Sequence, residues 1–294
     1  MKTILVPTNF SMHATDALVT AVSIIRATGG KLILMHNVET LLTNWCRLSS
    51  AEQSKYPDIK NYNDRINREI QEIKMGGLLY GQPVESMITY GVTSDEIVRA
   101  AAKADADLIV IGSGYNNSGR DLIGSTLQRV VREAYCPVLS VKKDIEFSKW
   151  TKILVPISLD FDISAPFEEI ADICSDLDVG IELVCINTPQ HFKDTGAIKK
   201  GLDEFKAKYP ALAIETSVYD HSEIEEGILE FAKSSKADCI AMVTFEHNRT
   251  PGYHLSVTDH ILYHATVPVL AVYEKMAVLR RKATEREAGS YQPR

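Results

Sequence analysis

Two glycines and a later Gly-Ser-Thr sequence are the residues of this chain best suited to holding phosphate groups. Gly112 and Gly114 follow an apolar run, and nine residues then separate Gly114 from Gly124, which precedes Ser125 and Thr126. Glycine lets a backbone approach a phosphate closely, and the start of a helix presents unpaired N–H groups with a partial positive charge. The pattern predicts a loop that wraps a polyphosphate, although glycines also end strands and start helices for structural reasons alone.

A second polar group follows the first apolar run of the chain. Pro7, Thr8 and Asn9 come directly after Ile4-Leu5-Val6. In an open parallel sheet, ligands bind beyond the carboxyl ends of the strands, where the strand order reverses. If both apolar runs are strands of one such sheet, the two polar groups face the same crevice.

The elements that position these groups are short apolar runs alternating with helical patterns. The run at 108–111 is apolar at every position, which is typical of a strand covered by helices on both faces. This alternation predicts a doubly wound α/β unit with a parallel sheet and right-handed crossovers. In the first part of the chain we predict strands at 2–7, 31–38, 84–90, 108–112 and 138–142, and helices at 13–28, about 58–74, 94–103 and 125–134.

Internal repetition divides the chain into two similar units. Ile4-Leu5-Val6-Pro7 recurs 149 residues later at 153–156, and Pro137-Val138-Leu139 recurs 131 residues later at 268–270. Because the offset falls from 149 to 131, the second copy is 18 residues shorter. We expect strands in it near 152–156, 181–186, 213–219, 238–243 and 268–273, and we place the domains at 1–145 and 150–275, with a basic tail at 276–294.

Composition excludes several classes of protein. The formal charge of −7, from 32 basic and 39 acidic residues, argues against nucleic-acid binding. The sequence has no apolar run of about 18 residues or more, so we predict no membrane span. Five widely spaced cysteines without a CxxC motif indicate a reducing compartment, and no signal-peptide pattern follows Met1. We therefore expect a cytoplasmic protein.

Two blocks of the sequence resemble a known family. Ile-Leu-Val-Pro-Thr-Asn-Phe-Ser at 4–11 resembles the opening of universal stress proteins, the UspA family, and Gly114-x9-Gly124-Ser125 followed by Cys136-Pro137-Val138-Leu139 resembles its closing block. The resemblance covers both copies, so the chain resembles a tandem universal stress protein. It implies two Rossmann-like or flavodoxin-like units, each with a five-stranded parallel sheet ordered 3-2-1-4-5. It also implies that the two units pair through their last strands, here within one chain.

The resemblance further implies that ATP or a related adenine nucleotide binds beside strands 1 and 4 of the first copy, with magnesium able to accompany it. Asn9 would contact the ribose, and Val38 and Ile111 would border the base. The glycines and hydroxyls would hold the phosphates. The predicted site comprises Pro7, Thr8, Asn9, Val38, Ile111, Gly112, Gly114, Gly124, Ser125 and Thr126.

The first copy departs from the family pattern at two places. Nucleotide-binding members typically carry Asp where this chain has Asn9, which keeps a hydrogen-bond acceptor but lacks the charge that would favour a metal. The pair Gly112-Ser113-Gly114 is one residue closer than in the family, which redirects the N–H groups of the loop. Both departures favour a rival hypothesis, an interaction scaffold that binds protein partners and no nucleotide.

The second copy departs from the pattern throughout its equivalent site. Each replacement adds a side chain where a phosphate needs bare backbone, so we predict that this copy binds no nucleotide and either serves in structural pairing or binds another kind of ligand. At the two offsets, Ile157 and Ser158 replace Thr8 and Asn9, and Val243, Phe245 and Leu255 replace Gly112, Gly114 and Gly124.

No group placed to act as a general base accompanies the predicted site, and Asn9 cannot serve as one. We therefore predict a binding protein without catalytic or metal-ligating residues, with a slow ATPase as a third alternative. The spacing of His254, His260 and His264 suits zinc, but solvated or core-edge histidines are the ordinary interpretation. A homodimer and unidentified protein partners remain open from the sequence.

Overall fold

A computed structural model describes residues 1–114, 125–143, 150–245 and 256–280. The predicted boundary at 144–149 and the tail from residue 281 onward lie outside the described residues. The first half contains β1 (Thr3–Pro7), α1 (Met12–Thr28), β2 (Lys31–Val38), α2 (Ser50–Gln53), α3 (Pro57–Met75), β3 (Val84–Tyr90), α4 (Thr93–Lys103), β4 (Leu108–Gly112), α5 (Ser125–Glu133) and β5 (Val138–Val141). The second half contains β6 (Lys152–Pro156), α6 (Ser164–Leu177), β7 (Gly180–Asn187), α7 (Thr195–Lys206), β8 (Ile214–Asp220), α8 (Ile224–Ser234), β9 (Cys239–Thr244), α9 (Val257–His264) and β10 (Val269–Tyr273), and residues 274–280 are helical.

One ten-stranded sheet runs through both halves in the order β3-β2-β1-β4-β5-β10-β9-β6-β7-β8. Within each half all paired strands are parallel, and the first half has the order 3-2-1-4-5 that the resemblance implies. The halves meet where β5 and β10 pair antiparallel, with Ser140 opposite Val269 and Val138 opposite Ala271. The two units therefore associate through their last strands within one chain.

The two halves share an equivalent hydrogen bond at the positions that the sequence repeat relates. Asp107 Oδ2 accepts a hydrogen bond from the backbone N–H of Thr3 at 2.8 Å. Asp238, 131 residues later, accepts the equivalent bond from the N–H of Lys152 at 3.1 Å. In each half a carboxylate before the fourth strand thus fixes the start of the first strand.

Helices cover the sheet on both faces because side chains of successive strand residues point to opposite sides. Ile4 and Val6 belong to an apolar layer with α1, α3, α6 and α7, whereas Leu5 belongs to the opposite layer with α4, α5, α8 and α9. Both layers contain residues of both halves. Within the described part of the chain, no helix has the length and apolar character needed to cross a membrane.

The turn between β1 and α1 is built by local side-chain hydrogen bonds. Phe10 has a φ of 61°, which reverses the chain direction after the strand. The Ser11 hydroxyl then accepts a hydrogen bond from the N–H of Ala14 at 3.3 Å and caps α1, which ends at Gly29 with a φ of 74°. This turn places the residues after β1 beside the end of β4.

Candidate functional site

A cavity of about 660 Å³ opens at the carboxyl ends of β1 and β4, where the strand order reverses. This is the place where doubly wound folds bind ligands. Of the ten predicted site residues, those that line the cavity are Pro7, Thr8, Asn9, Ile111, Gly112, Gly114 and Thr126. Ser125 is exposed at the start of α5 and is not among the lining residues, and Gly124 lies outside the described residues.

Val38 does not belong to the cavity. Its side chain is 6% exposed and packs in a small cluster with Trp45 and Tyr90. The preceding residue, Asn37, lines the cavity instead, and its amide nitrogen donates to the carbonyl of Gly91 and to the Thr93 hydroxyl, both at 2.9 Å. The Val38 side chain is therefore committed to this separate cluster and does not line the cavity.

The loop after β1 presents polar groups that are partly used to hold its own shape. Thr8 Oγ1 accepts a hydrogen bond from the N–H of Phe10 at 3.0 Å, and Asn9 Oδ1 accepts one from the N–H of Ser11 at 3.1 Å. Asn9 is exposed, and among the described residues its amide nitrogen makes no hydrogen bond. The Asn9 side chain therefore has donors left for a ligand.

Gly112 and Gly114 are glycines because the start of α1 approaches them closely. A Cβ atom at Gly112 would overlap the backbone carbonyl of His13 and would lie 2.9 Å from the nitrogen of Ala14. A Cβ atom at Gly114 would overlap the imidazole of His13, whose Cε1 would be 3.0 Å away. Neither glycine has a positive φ, so close packing rather than backbone conformation requires them.

His36 on β2 forms a neutral wall of the cavity. Its Nδ1 lies 2.8 Å from the carbonyl oxygen of Thr8, which can only accept, so Nδ1 carries the proton. Its Nε2 lies 3.3 Å from the Tyr62 hydroxyl and accepts from it, and the Phe10 ring stacks on the imidazole at 4.8 Å. Burial lowers the pKa of His36, which keeps the ring uncharged.

The second half of the chain completes the cavity. Leu262 and Tyr263 of α9 line it together with Lys142, which follows β5. The Lys142 ammonium donates to the carbonyl oxygen of Tyr263 and, at 2.8 Å, to that of Ala265. Burial lowers the pKa of Lys142 to about 8. Sequence reasoning missed these residues because only the pairing of β5 with β10 brings them to the site.

Known proteins are similar to this chain in sequence and in fold. A profile of the universal stress protein family matches residues 1–142. A universal stress protein of Thermus aquaticus is 31% identical over 144 residues, which make up 48% of this chain and 98% of that protein. This chain belongs to the universal stress protein family. A universal stress protein of Methanocaldococcus jannaschii is 40% identical over a shorter stretch of 75 residues, which is 25% of this chain and 44% of that relative.

The likeness of fold extends over both halves of this universal stress protein. The crystal structure of a universal stress protein from Archaeoglobus fulgidus superposes with a TM-score of 0.69 at 18% identity. It covers 92% of this chain and 98% of its own. Two universal-stress-protein-like halves in tandem therefore form the architecture of the chain.

The equivalent crevice in the second universal-stress-protein-like half is filled by side chains. Phe245 stands at the position equivalent to Gly114 and packs against Phe161, with ring centroids 5.1 Å apart. Both Phe245 and Val243, the equivalent of Gly112, pack against the apolar layer that includes α6 and α7. Leu255, the third replacement, lies outside the described residues. Gly112 and Gly114 leave the backbone of the first half uncovered, whereas Val243 and Phe245 place side chains at the equivalent positions of the second half.

Titratable side chains elsewhere form no metal centre in the part of the chain that the structure describes. The rings of His260 and His264 contact each other at a tilt with centroids 4.2 Å apart, and His260 Nε2 lies 3.2 Å from a Glu226 carboxylate oxygen. His254, the third histidine of that sequence pattern, lies outside the described residues. His260 therefore forms a surface hydrogen bond with Glu226.

Proposed function

We propose that the first half binds ATP or a related adenine nucleotide in the cavity beside β1 and β4, and that the protein is a cytoplasmic stress-response protein that works by binding. The observation that carries this proposal is the cavity itself. It lies at the strand-order reversal and is lined by the predicted residues of two separate loops. Its volume of about 660 Å³ is in the range of pockets that hold small ligands.

The residues present fit a nucleotide in chemical character. Thr126 in the first turn of α5 offers a hydroxyl next to a helix N-terminus, where phosphate groups bind favourably. Asn9 would contact the ribose through its amide, and Ile111 and Met35 supply apolar surface for a base. Lys142 brings a positive charge to the same lining. Magnesium would enter with the phosphates of the nucleotide, since such ions bind mainly through substrate oxygens.

The proposed role is binding rather than catalysis. His36, the buried imidazole of the lining, has both ring nitrogens engaged, with Thr8 and with Tyr62. Asn9 offers a neutral amide, which cannot serve as a general base. These two observations support a nucleotide-responsive protein over an ATPase.

Two matched variants test this assignment. Asn9 and Ser158 are equivalent exposed residues, and each accepts a hydrogen bond from the N–H two residues later, at 3.1 and 3.3 Å. We expect purified protein to release adenine nucleotide on heat denaturation, and we expect Asn9→Leu to abolish this release. Ser158→Leu, which makes the same change in the filled crevice, leaves it intact. Absence of nucleotide from the wild-type protein, together with no binding of added ATP, contradicts the proposal.

A second candidate function is that of an interaction scaffold with neither crevice loaded. It is favoured by the packing of His13, which alone accounts for the glycines at 112 and 114. The contact between Phe161 and Phe245, which fills the second-half crevice, also favours the scaffold function. In that case the helix α3 and the basic tail, which lies outside the described residues, are the contact surfaces to examine. Equal behaviour of Asn9→Leu and Ser158→Leu would favour this function.

A further inference from the structure

The helix α9 of the second half is held at its N-terminal end by a cation of the first half. Arg132 on α5 makes an ion pair with Asp259. The Asp259 side chain is only 4% exposed, and it also closes the capping box of α9 with Ser256. The start of α9 is therefore fixed by a charge that crosses from one half to the other.

The C-terminal end of α9 is held by a second cation of the first half. Lys142 donates to the carbonyl oxygens of Tyr263 and Ala265, which belong to the last turn of α9 and the residue that caps it. A positive charge at this end is favourable because the helix dipole concentrates negative charge there. First-half cations thus bracket α9 at both ends.

The two cations differ in their relation to the cavity. Lys142 and Tyr263 line it, whereas Arg132 and Asp259 do not. The proposed nucleotide and the end of α9 therefore share one ammonium group.

We propose that Lys142 couples occupation of the first-half cavity to the docking of α9, so that a phosphate-bearing nucleotide strengthens the contact between the halves. This inference rests on the proposed nucleotide site. Lys142 acts as a positioning residue that responds to the ligand on one side and holds α9 on the other.

Partial burial strengthens the electrostatic effect of the Lys142 ammonium on its neighbours. Lys142 is half-buried, and the cost of taking its ammonium partly out of water lowers its pKa to about 8. Lys142 is therefore already mostly charged near pH 7, and an anionic ligand at the same cavity stabilises that charge against the cost of its partial burial. The charged form is also the stronger donor to the α9 carbonyls. Ligand and helix docking therefore support each other, and the coupling is reciprocal by thermodynamic necessity.

Only the first half supplies cations that hold a helix of the other half. The second half can therefore respond to a ligand in the first-half cavity although its own crevice is filled. At the offset of 131, the positions equivalent to Arg132 and Lys142 are Tyr263 and Tyr273, which carry no positive charge. The second half has no matching pair of cations at these positions to hold α5. Docking of α9 in the second half therefore responds to occupation of the first-half cavity, whereas Tyr263 and Tyr273 offer no cations through which the second-half crevice would act on α5 in the same way.

Hydrogen exchange on the full chain tests this inference. We expect saturating ATP to slow exchange of the amides of α9 by at least about fivefold, the lower end of ordinary coupling between sites. Lys142→Met removes this ATP-dependent protection and weakens ATP binding by a similar factor, whereas Lys142→Arg retains both. Arg132→Met serves as the control, because it loosens α9 in the absence of ATP but leaves the ATP-dependent increment in place.

The outcomes separate this inference from the function on which it rests. If wild-type protein binds ATP calorimetrically but the exchange of α9 is unchanged, the coupling is wrong and the nucleotide site stands. If Lys142→Met retains the full ATP-dependent protection, Lys142 is not the coupling residue. If wild-type protein binds no ATP, the proposed function fails and this inference falls with it. The wild-type exchange measurement does not depend on the folding of any variant.

Discussion

Gly114 and the imidazole of His13 are in such close contact that a single added Cβ atom would overlap the ring. The neighbouring Gly112 is equally close to α1, but there the atom in the way is a backbone carbonyl oxygen. The two glycines of this loop therefore have different tolerance for change. A side chain can rotate away, whereas the first turn of a capped helix cannot.

Alanine at the two positions should separate these effects. We expect Gly112→Ala to lower the free energy of unfolding by about 3 kcal/mol, the upper end of ordinary overpacking costs. Gly114→Ala should cost about 1 kcal/mol, because His13 only has to leave its preferred rotamer. Urea unfolding of the two variants measures the difference.

His13→Ala supplies the matched control for this pair. Combined with Gly114→Ala it should remove most of the cost, since the overlapping ring is gone. Combined with Gly112→Ala it should give no relief, because the backbone oxygen remains. Equal losses at the two glycines, or relief at both, would contradict the packing described here.

The ion pair between Arg132 and Asp259 should contribute measurably to the stability of the joined halves. Arg132→Met leaves the nearly buried Asp259 carboxylate without this partner, and we expect a loss of about 2 kcal/mol in the free energy of unfolding. Asp259→Asn in the same background should recover part of the loss, because a neutral amide needs no counter-charge. A double-mutant cycle by thermal or urea unfolding checks this, and strictly additive effects would count against the pair.

Stability should depend on pH through Glu169 on α6. Burial raises the pKa of this carboxyl to about 7, against the opposing effect of Arg280, whose Nε lies 3.6 Å from it. Between pH of about 4.5 and 7 the folded state then holds a proton that the unfolded state has lost. Stability contributed by this group is therefore present below that window and is lost as the pH rises through it.

Glu169→Gln removes the titrating group and isolates its effect. Relative to wild type, the variant should gain about 3 kcal/mol of unfolding free energy as the pH is raised from 4.5 to above 7. Urea unfolding at a series of pH values measures the gain. If the unfolding free energies of the two proteins change with pH in parallel, folding does not raise the pKa of Glu169 and the prediction is wrong.

The architecture could be predicted from the sequence because it depends on local patterns of apolar residues and on a repeat with fixed offsets. The strand Leu108–Gly112 and the helix Met12–Thr28 match their predicted positions to within one residue at each end. A short run that is apolar at every position is typical of a strand covered on both faces. The offset of 131 relates Asp107 to Asp238 and the offset of 149 relates Thr3 to Lys152, and the hydrogen bonds display both equivalences.

The site was only partly accessible because its details depend on contacts between distant elements. The role of Gly112 could not be separated from phosphate binding without the position of His13. The burial of the Val38 side chain away from the cavity could not be predicted, because the sequence does not show that Trp45 and Tyr90 pack with it. Lys142 was missed because its approach to α9 depends on the antiparallel register of β5 and β10.

The most direct test of the central claim is a calorimetric titration of the full, nucleotide-free chain with ATP. We expect one site per chain, located in the first half, and loss of that site in Asn9→Leu but not in Ser158→Leu. No heat at millimolar ATP would contradict nucleotide binding and favour the scaffold. Two sites per chain would contradict the filled crevice of the second half.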